Sequence, residues 1–220
     1  MARVVVDPLA GTSVSSVMSP ETSDPDSSDQ TPRLLREIRR ARFQLPTAHR
    51  NLLDEIGAQE TAIDDWPGGV EDLYRSIRET PPARESLAGA AAVWLDGLRM
   101  VAFNAGLFHE ATVGLDDESR EALVASVAWH EYGHALSLNR STSHQRQGGE
   151  RLLSLLPAGL RGSIDYPGGY RRSEVFDEVI ATVYAVMVSR VRTYGYGAPD
   201  YLHPDVFDAF KEVIPWPPNH

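Results

Sequence analysis

Apolar residues recur at helical spacing along most of the chain. After Thr31-Pro32, a pair typical of a helix start, Leu34, Leu35 and Ile38 share one face and arginines line the other. The same spacing predicts further helices at about 47–60, 69–79, 117–138, 173–192 and 204–213, and a short one that begins near residue 151. Helices therefore make up most of the predicted secondary structure.

One stretch has a different pattern. Residues 92–95 and 99–103 are two apolar runs separated by Asp96-Gly97, a pair that favours the turn of a β-hairpin. The two alanines just before the first run are also compatible with a helix. We therefore expect an α+β fold in which a small sheet is packed among helices.

Segments without an apolar pattern divide the chain. Residues 11–32 are rich in Ser, Thr, Pro and Asp and have almost nothing to bury, which is typical of disorder. Prolines interrupt the pattern again at 80–85, and residues 139–150 have the composition of a polar loop. These breaks predict a disordered segment, a helical extension and a main domain, at 1–32, 33–85 and 86–220.

Composition restricts the chemistry. The chain has no cysteine, so any zinc site must use His, Asp or Glu, and disulfides and cysteine nucleophiles are excluded. The net charge of −10 argues against a protein whose main task is to bind phosphate backbones. The arginine-lined face of the first helix is compatible with a nucleic-acid or membrane patch, but packing against acidic residues of the body is the favoured interpretation. We expect neither nucleic acid as the primary partner nor a membrane.

The N-terminal sequence and the hydropathy indicate a location. The opening residues, MARVVVDPLAG, contain an apolar run of three valines that Asp7-Pro8 ends, whereas a signal peptide needs a longer apolar run. No stretch approaches the roughly 20 apolar residues of a membrane span. We therefore expect a cytoplasmic protein.

The helix at 117–138 carries the sequence HEYGH, in which His130 and His134 lie four residues apart. Such residues share a helix face, so both imidazoles can approach one zinc ion at about 2 Å. Glu131 is offset by about 100° around the helix and can act as general base toward a metal-activated water. Gly133 costs about 1 kcal/mol relative to alanine inside a helix, which predicts that another chain segment passes close to it. The alternative is a pair of core histidines satisfied by hydrogen bonds.

A catalytic zinc needs a third protein ligand, and the helix at 173–192 offers three acidic residues. Glu178 lies on an otherwise apolar side of this helix and is the preferred ligand, with Glu174 as the alternative. Asp177 or Glu174 would then orient a ligand histidine through its second ring nitrogen. For Asp177 and Glu174, however, the favoured interpretation is negative charge that stabilises the start of the helix.

HEYGHAL, followed by DEVIATVYA at 177–185, resembles the gluzincin group of zinc metallopeptidases. The resemblance implies a zincin-like core: a small, mostly antiparallel sheet on the His-Glu-x-x-His helix, and a second helix that supplies Glu178 in a Glu-x-x-Ala setting. It also implies that MVAFNAGLF, 100–108, is the edge strand that aligns extended substrate. Gluzincins often have an acidic residue four positions after the ligand glutamate, where this chain has Thr182. The size and the absence of a signal peptide also resemble the intracellular regulatory proteases of the ImmA/IrrE type.

A peptidase also needs a donor to the oxyanion that forms when water attacks the carbonyl group. Loops around the helix at 173–192 offer His203, the first choice, and several tyrosines, for each of which ordinary packing is the favoured interpretation: Tyr166, Tyr170, Tyr194, Tyr196 and Tyr201. The other histidines have no partner at ligand spacing, so we expect surface or loop positions for His49, His109 and His144, and a free side chain for His220.

The leading hypothesis is a zinc metallopeptidase that hydrolyses a peptide or protein substrate. Zn²⁺ would be bound by His130, His134 and Glu178, with Glu131 as base and then as acid toward the leaving amine. The alternative from another class is a metal-stabilised regulatory or binding module without turnover. A third hypothesis is that the tail after residue 193 folds across the cleft and keeps an enzyme latent.

Overall fold

The computed structural model describes residues 30–81, 84–137, 142–155, 172–194 and 204–216. In this part the chain has a mixed α+β fold that is mostly helical and contains a small three-stranded sheet. The predicted disordered segment 1–32 lies outside the described residues, apart from 30–32, which already belong to the first helix. Among the described helices, none combines the length and the apolar character that crossing a membrane requires.

The helices follow the apolar pattern closely at several positions. The helix predicted at 204–213 has these bounds. Those predicted at 117–138 and 173–192 differ from the observed helices by at most two residues at either end. The described helices, in chain order, are α1 (Gln30–Phe43), α2 (Thr47–Glu55), α3 (Gly68–Ser76), α4 (Arg84–Ala88), α5 (Ala105–Thr112), α6 (Asp117–Ser137), α7 (Thr142–Leu155), α8 (Arg172–Tyr194) and α9 (Pro204–Val213).

The sheet contains the predicted hairpin and one strand that the sequence did not predict. Its strands are β1 (Gln59–Ile63), β2 (Ala92–Leu95) and β3 (Met100–Asn104), in the spatial order β1-β3-β2. β2 pairs with β3 in antiparallel fashion, so the hairpin is confirmed, but β1 is parallel to β3. The expectation of a mostly antiparallel sheet is therefore wrong. The expected edge strand at 100–108 is wrong as well, because β3 is the central strand and α5 begins at residue 105.

β1 arises within a segment that was predicted to be helical. α2 ends at Glu55 instead of continuing to residue 60, because the chain turns at Gly57. The φ angle of Gly57 is +70°, a left-handed conformation that glycine adopts at the end of helices without strain. The segment 33–85 thus also contributes a strand to the sheet, through pairs such as Thr61 with Ala102.

α7 replaces most of the polar loop predicted at 139–150. Two adjacent glycines allow this polar helix to pack closely on its neighbours. A methyl group on Gly149 would lie 2.5 Å from Cβ of Phe176 on α8, and one on Gly148 would overlap Val213 on α9. Packing against the rest of the molecule therefore outweighs the low helical propensity of this stretch.

α6 runs through the main core, and all but one of its residues from Val124 to Ser137 are buried. α1 packs along it, and its arginines contact acidic side chains. Arg33 donates to Asp117 at 2.6 Å, and Arg40 forms an ion pair with Glu121. The predicted packing of an arginine-lined face against acidic residues is confirmed for these two pairs.

His49, expected at the surface or in a loop, is instead fully buried on α2. Its Nε2 atom lies 2.8 Å from the carbonyl oxygen of Pro215 and must donate to it, because a carbonyl only accepts. The other ring nitrogen, Nδ1, then accepts from the hydroxyl group of Tyr184 at 3.0 Å. Burial lowers the pKa of His49 and outweighs the opposing effect of the hydrogen bond to Pro215. The imidazole is therefore neutral in the fold.

Replacement of His49 by glutamine should make stability less sensitive to acid. A histidine whose pKa is lower in the folded than in the unfolded state contributes stability above its unfolded pKa, about 6.5, and this contribution is lost as the pH falls through the folded pKa. Urea unfolding at a series of pH values should show a wild-type free energy of unfolding that decreases below pH 6.5, by up to about 1.4 kcal/mol per pH unit for this proton. His49→Gln should have a shallower slope in the same range. Equal slopes would show that His49 does not titrate on unfolding.

Candidate metal centre

The centre lies where α6 and α8 pack in close contact. A methyl group on Gly133 would lie 2.8 Å from Cα of Ala181 and 3.0 Å from Cβ of Tyr184. The expectation that another backbone passes close to Gly133 is confirmed. Ala181 lies one turn after Glu178, so the contact also brings that carboxylate to the histidine face of α6.

Gly133→Ala should destabilise the protein, although alanine is the better helix former by about 1 kcal/mol. The methyl group would meet backbone atoms of α8, which cannot move aside as a flexible side chain can. Overpacking of this kind lowers the free energy of unfolding by about 1–3 kcal/mol, which chemical denaturation measures directly. Gly106→Ala on α5 is the matched control, because its methyl group would have only one neighbour within 4 Å, at 3.6 Å. If both variants were as stable as the wild type, the contact between α6 and α8 would be looser than described.

Three side chains converge at this contact. The Nε2 atoms of His130 and His134 lie 3.1 Å apart. One carboxylate oxygen of Glu178 lies 3.2 Å from His130 Nε2, and the other lies 3.4 Å from His134 Nε2. These residues are the one group of three or more potential metal ligands found together in the described part of the chain.

The distances fit a tetrahedral metal ion. Corners of a tetrahedron with metal–ligand bonds of about 2.0–2.1 Å are separated by about 3.3 Å. The three contacts at His130, His134 and Glu178, 3.1 to 3.4 Å, lie close to this value, and Glu178 makes its two contacts through different carboxylate oxygens. Two imidazoles and a carboxylate also form a donor set that zinc accepts without cysteine. The side chains present therefore fit a zinc ion, and one position is left for water when Glu178 binds through a single oxygen.

The electrostatics of the group favour the ligand form of the carboxylate. Burial raises the pKa of Glu178, but the nearby His134 and His130 side chains outweigh this effect and hold the pKa well below its usual range. The carboxyl group is therefore ionised across the physiological range. Metal ligands of this type must be deprotonated, so Glu178 needs no further proton loss before binding.

Glu131 lies next to this group on α6. It is offset by about 100° around the helix from His130, on the flank of the histidine face opposite Gly133. Its side chain is completely buried. A buried carboxylate that flanks the two histidines on the helix, outside the converging group, is a candidate general base.

All four side chains of the centre are buried. The exposed fractions of His130, Glu131, His134 and Glu178 are 6, 0, 0 and 5%. A substrate contacts the open coordination position of a metal ion and not the side chains that bind the ion. Burial of these residues is therefore compatible both with a structural and with a catalytic metal.

Several predicted site residues cannot be placed relative to this centre. His203, Tyr166, Tyr170, Tyr196 and Tyr201 lie outside the described residues. Tyr194 and Glu174 belong to α8, but their side chains are not described; Asp177 is partly buried on the same helix. The oxyanion donor and the residue that orients a ligand histidine therefore stay predictions.

The structure adds neighbours of the centre that the sequence did not predict. Tyr132 donates from its hydroxyl group to Glu60 on β1, at 3.1 Å. Trp129 donates from its indole nitrogen to the carbonyl oxygen of Ala41, at 3.0 Å. A buried tyrosine or tryptophan predicts a hydrogen-bond partner, but not which one, because both partners here lie over 70 residues away in the chain.

Comparison with known proteins gives no match. The chain matches no family model, no curated protein and no solved structure. What the protein does must therefore be inferred from its own sequence motif and from the geometry of these side chains.

Proposed function

We propose that the protein is a zinc metallopeptidase with a zincin-like core. The observation that carries this proposal is the convergence of His130, His134 and Glu178 at close to the spacing of metal ligands, on a helix that also carries the buried Glu131. Neither feature is specific alone. An HEYGH sequence can arise by chance, and three buried polar side chains can converge because they form hydrogen bonds with one another. Their combination in one buried centre supports the proposal.

Each side chain has a defined task in this proposal. His130 and His134 bind the metal as neutral imidazoles, and Glu178 binds it as a carboxylate. A bound zinc ion supplies Lewis acidity, which lowers the pKa of water and polarises a carbonyl group. Glu131 accepts the proton of the attacking water and then delivers it to the leaving amine. The net reaction is hydrolysis of one peptide bond.

Digestion of a peptide library tests the proposal. The purified protein should cleave members of the library, a chelator should abolish cleavage, and added zinc should restore it. Cleavage that persists in the chelator would indicate another mechanism or a contaminating protease.

A metal-stabilised regulatory or binding module is the second candidate. One observation favours it: Thr182 occupies the position where gluzincins often have an acidic residue. A protein that holds stoichiometric zinc but cleaves no library member would support this candidate and contradict the first one.

Buried residues near the C-terminus limit how the hypothesis of a latent enzyme can be tested. Phe210, Val213 and Ile214, at the end of α9 and just after it, are buried in the main core. Removal of residues 194–220 would delete these core residues and unfold the protein. Truncation of the tail therefore cannot test latency, and the described part of the tail is structural.

A further inference from the structure

We propose that the segment 30–63 acts as a clamp that positions the two metal-bearing helices against each other. This inference rests on the proposed metal centre. The clamp consists of three hydrogen bonds from the segment to α6 and α8, and these join Ala41 to Trp129, Glu60 to Tyr132, and His49 to Tyr184.

Two of the bonds attach to α6 at or just before the HEYGH sequence, 130–134, which we call the motif turn. They lie on the side of the helix away from the two histidines. Tyr132 points about 180° away from the midpoint of His130 and His134 on the helix, and Trp129 about 120° away. Both side chains are buried, and each immediately precedes a residue of the motif or lies within it. Within 129–134, the histidines that converge with Glu178 and the residues that are hydrogen-bonded to the segment 30–63 therefore lie on different sides of the helix.

The acceptor of the Tyr132 bond is itself fixed. Glu60 forms an ion pair with Arg42 on α1, and the same guanidinium donates to the carbonyl oxygen of Ala58 at 2.9 Å and to Asp54 at 2.7 Å. Glu60 is nearly buried and also lies in the parallel pairing of β1 with β3. Tyr132 is thus bonded to a carboxylate that α1 and the sheet both hold in place.

The third bond holds α8. Tyr184 donates to His49, whose other ring nitrogen is bonded to Pro215. Cβ of the same tyrosine is the atom that would lie 3.0 Å from a methyl group on Gly133. Tyr184 therefore contacts the motif turn on one side and the clamp on the other, on the helix that carries Glu178.

Both ligand-bearing helices are consequently fixed to one segment. A metal site needs its ligands held within about 0.5 Å of the binding geometry. The histidines lie on α6 and Glu178 lies on α8, so the spacing of 3.2 and 3.4 Å between them depends on how these helices are placed. Hydrogen bonds that restrict this placement should raise metal affinity beyond their contribution to folding.

Removal of the two tyrosine hydroxyl groups tests the clamp. Tyr132→Phe and Tyr184→Phe should each lower zinc affinity by about 10-fold, the low end of the range for residues that support metal ligands, and the double variant should lose more. Competition with a chromophoric chelator measures the affinity, and the visible absorption of the Co²⁺-substituted protein reports ligand geometry without any substrate. We expect a changed Co²⁺ spectrum in both variants.

Tyr74→Phe is the matched control. It removes the same hydroxyl group from a buried tyrosine on α3, in the smaller core cluster away from α6 and α8. It should leave zinc affinity and the Co²⁺ spectrum unchanged, whatever its effect on thermal stability. If Tyr132→Phe and Tyr184→Phe behave like Tyr74→Phe, the bonds are merely structural and the clamp is rejected. If the wild type binds no zinc, the proposed function fails instead, and the two failures are distinct.

Discussion

Replacement of Glu178 by alanine should abolish stoichiometric zinc binding. The variant keeps two imidazoles but loses the only carboxylate among the three converging side chains, and with it the negative charge that partly neutralises the metal. Loss of a direct ligand should exceed the roughly 10- to 100-fold effect of removing a residue that merely supports one. We therefore expect a decrease in zinc affinity of more than about 100-fold, measured by competition with a chelator of known affinity.

Glu174→Ala distinguishes the two glutamates that the sequence left open as ligands. Glu174 lies one turn before Glu178 on α8, so the two substitutions are matched in type and in helix. Glu174→Ala should retain zinc at nearly wild-type affinity. Loss of zinc in Glu174→Ala together with retention in Glu178→Ala would reverse the ligand assignment.

Replacement of Glu131 by glutamine should separate metal binding from hydrolysis. Glutamine has nearly the same shape and fits the same buried position, but it cannot accept a proton from water. Removal of a general base lowers the rate by about 10²- to 10⁴-fold, so kcat should fall by this factor while zinc content stays at the wild-type level. Metal analysis and peptide cleavage on the same preparation measure both quantities.

Glu118→Gln provides the control for this experiment. Glu118 lies in the first turn of the same helix and is exposed, so the same chemical change occurs there without contact with the centre. It should leave both zinc content and kcat unchanged. Wild-type cleavage by Glu131→Gln would remove Glu131 from the mechanism, and loss of zinc in that variant would give it a structural role.

The elements that the sequence predicted well are those encoded locally. The start of α6 is one example: Asp116 accepts a hydrogen bond from the backbone of Ser119 at 2.7 Å, as a helix cap does. The hairpin is another, because Asp96 and Gly97 form the predicted turn between β2 and β3. In both cases residues within a few positions of each other supply the signal.

The elements that the sequence did not predict depend on distant contacts. β1 needs β3 as its partner, about 40 residues later, and a short segment of five residues has little strand signal of its own. α7 is polar and contains two glycines, but Phe176 and Val213 pack directly against them. Such packing cannot be read from composition. The sequence pattern alone therefore predicts a helix up to residue 60, although β1 begins at Gln59, and a loop where most of α7 forms.

The candidate site likewise contains residues that the sequence identifies and contacts that it does not. Spacing along one helix identifies His130, Glu131 and His134 as a group, and the apolar surroundings of Glu178 single it out on a second helix. The structure brings His130, His134 and Glu178 together. The bonds from Tyr132 and Tyr184 could not be predicted, because their partners belong to a segment whose contact with the site has no local signal.

The metal content of the purified wild-type protein tests the central claim most directly. The protein should be isolated without chelators, incubated with zinc, freed of excess metal by gel filtration and analysed by mass spectrometry beside His134→Ala. The metal centre predicts one zinc ion per wild-type chain and none in the variant. A wild-type protein that folds but retains no metal would contradict it, and His130, His134 and Glu178 would then be a buried group held together by hydrogen bonds alone.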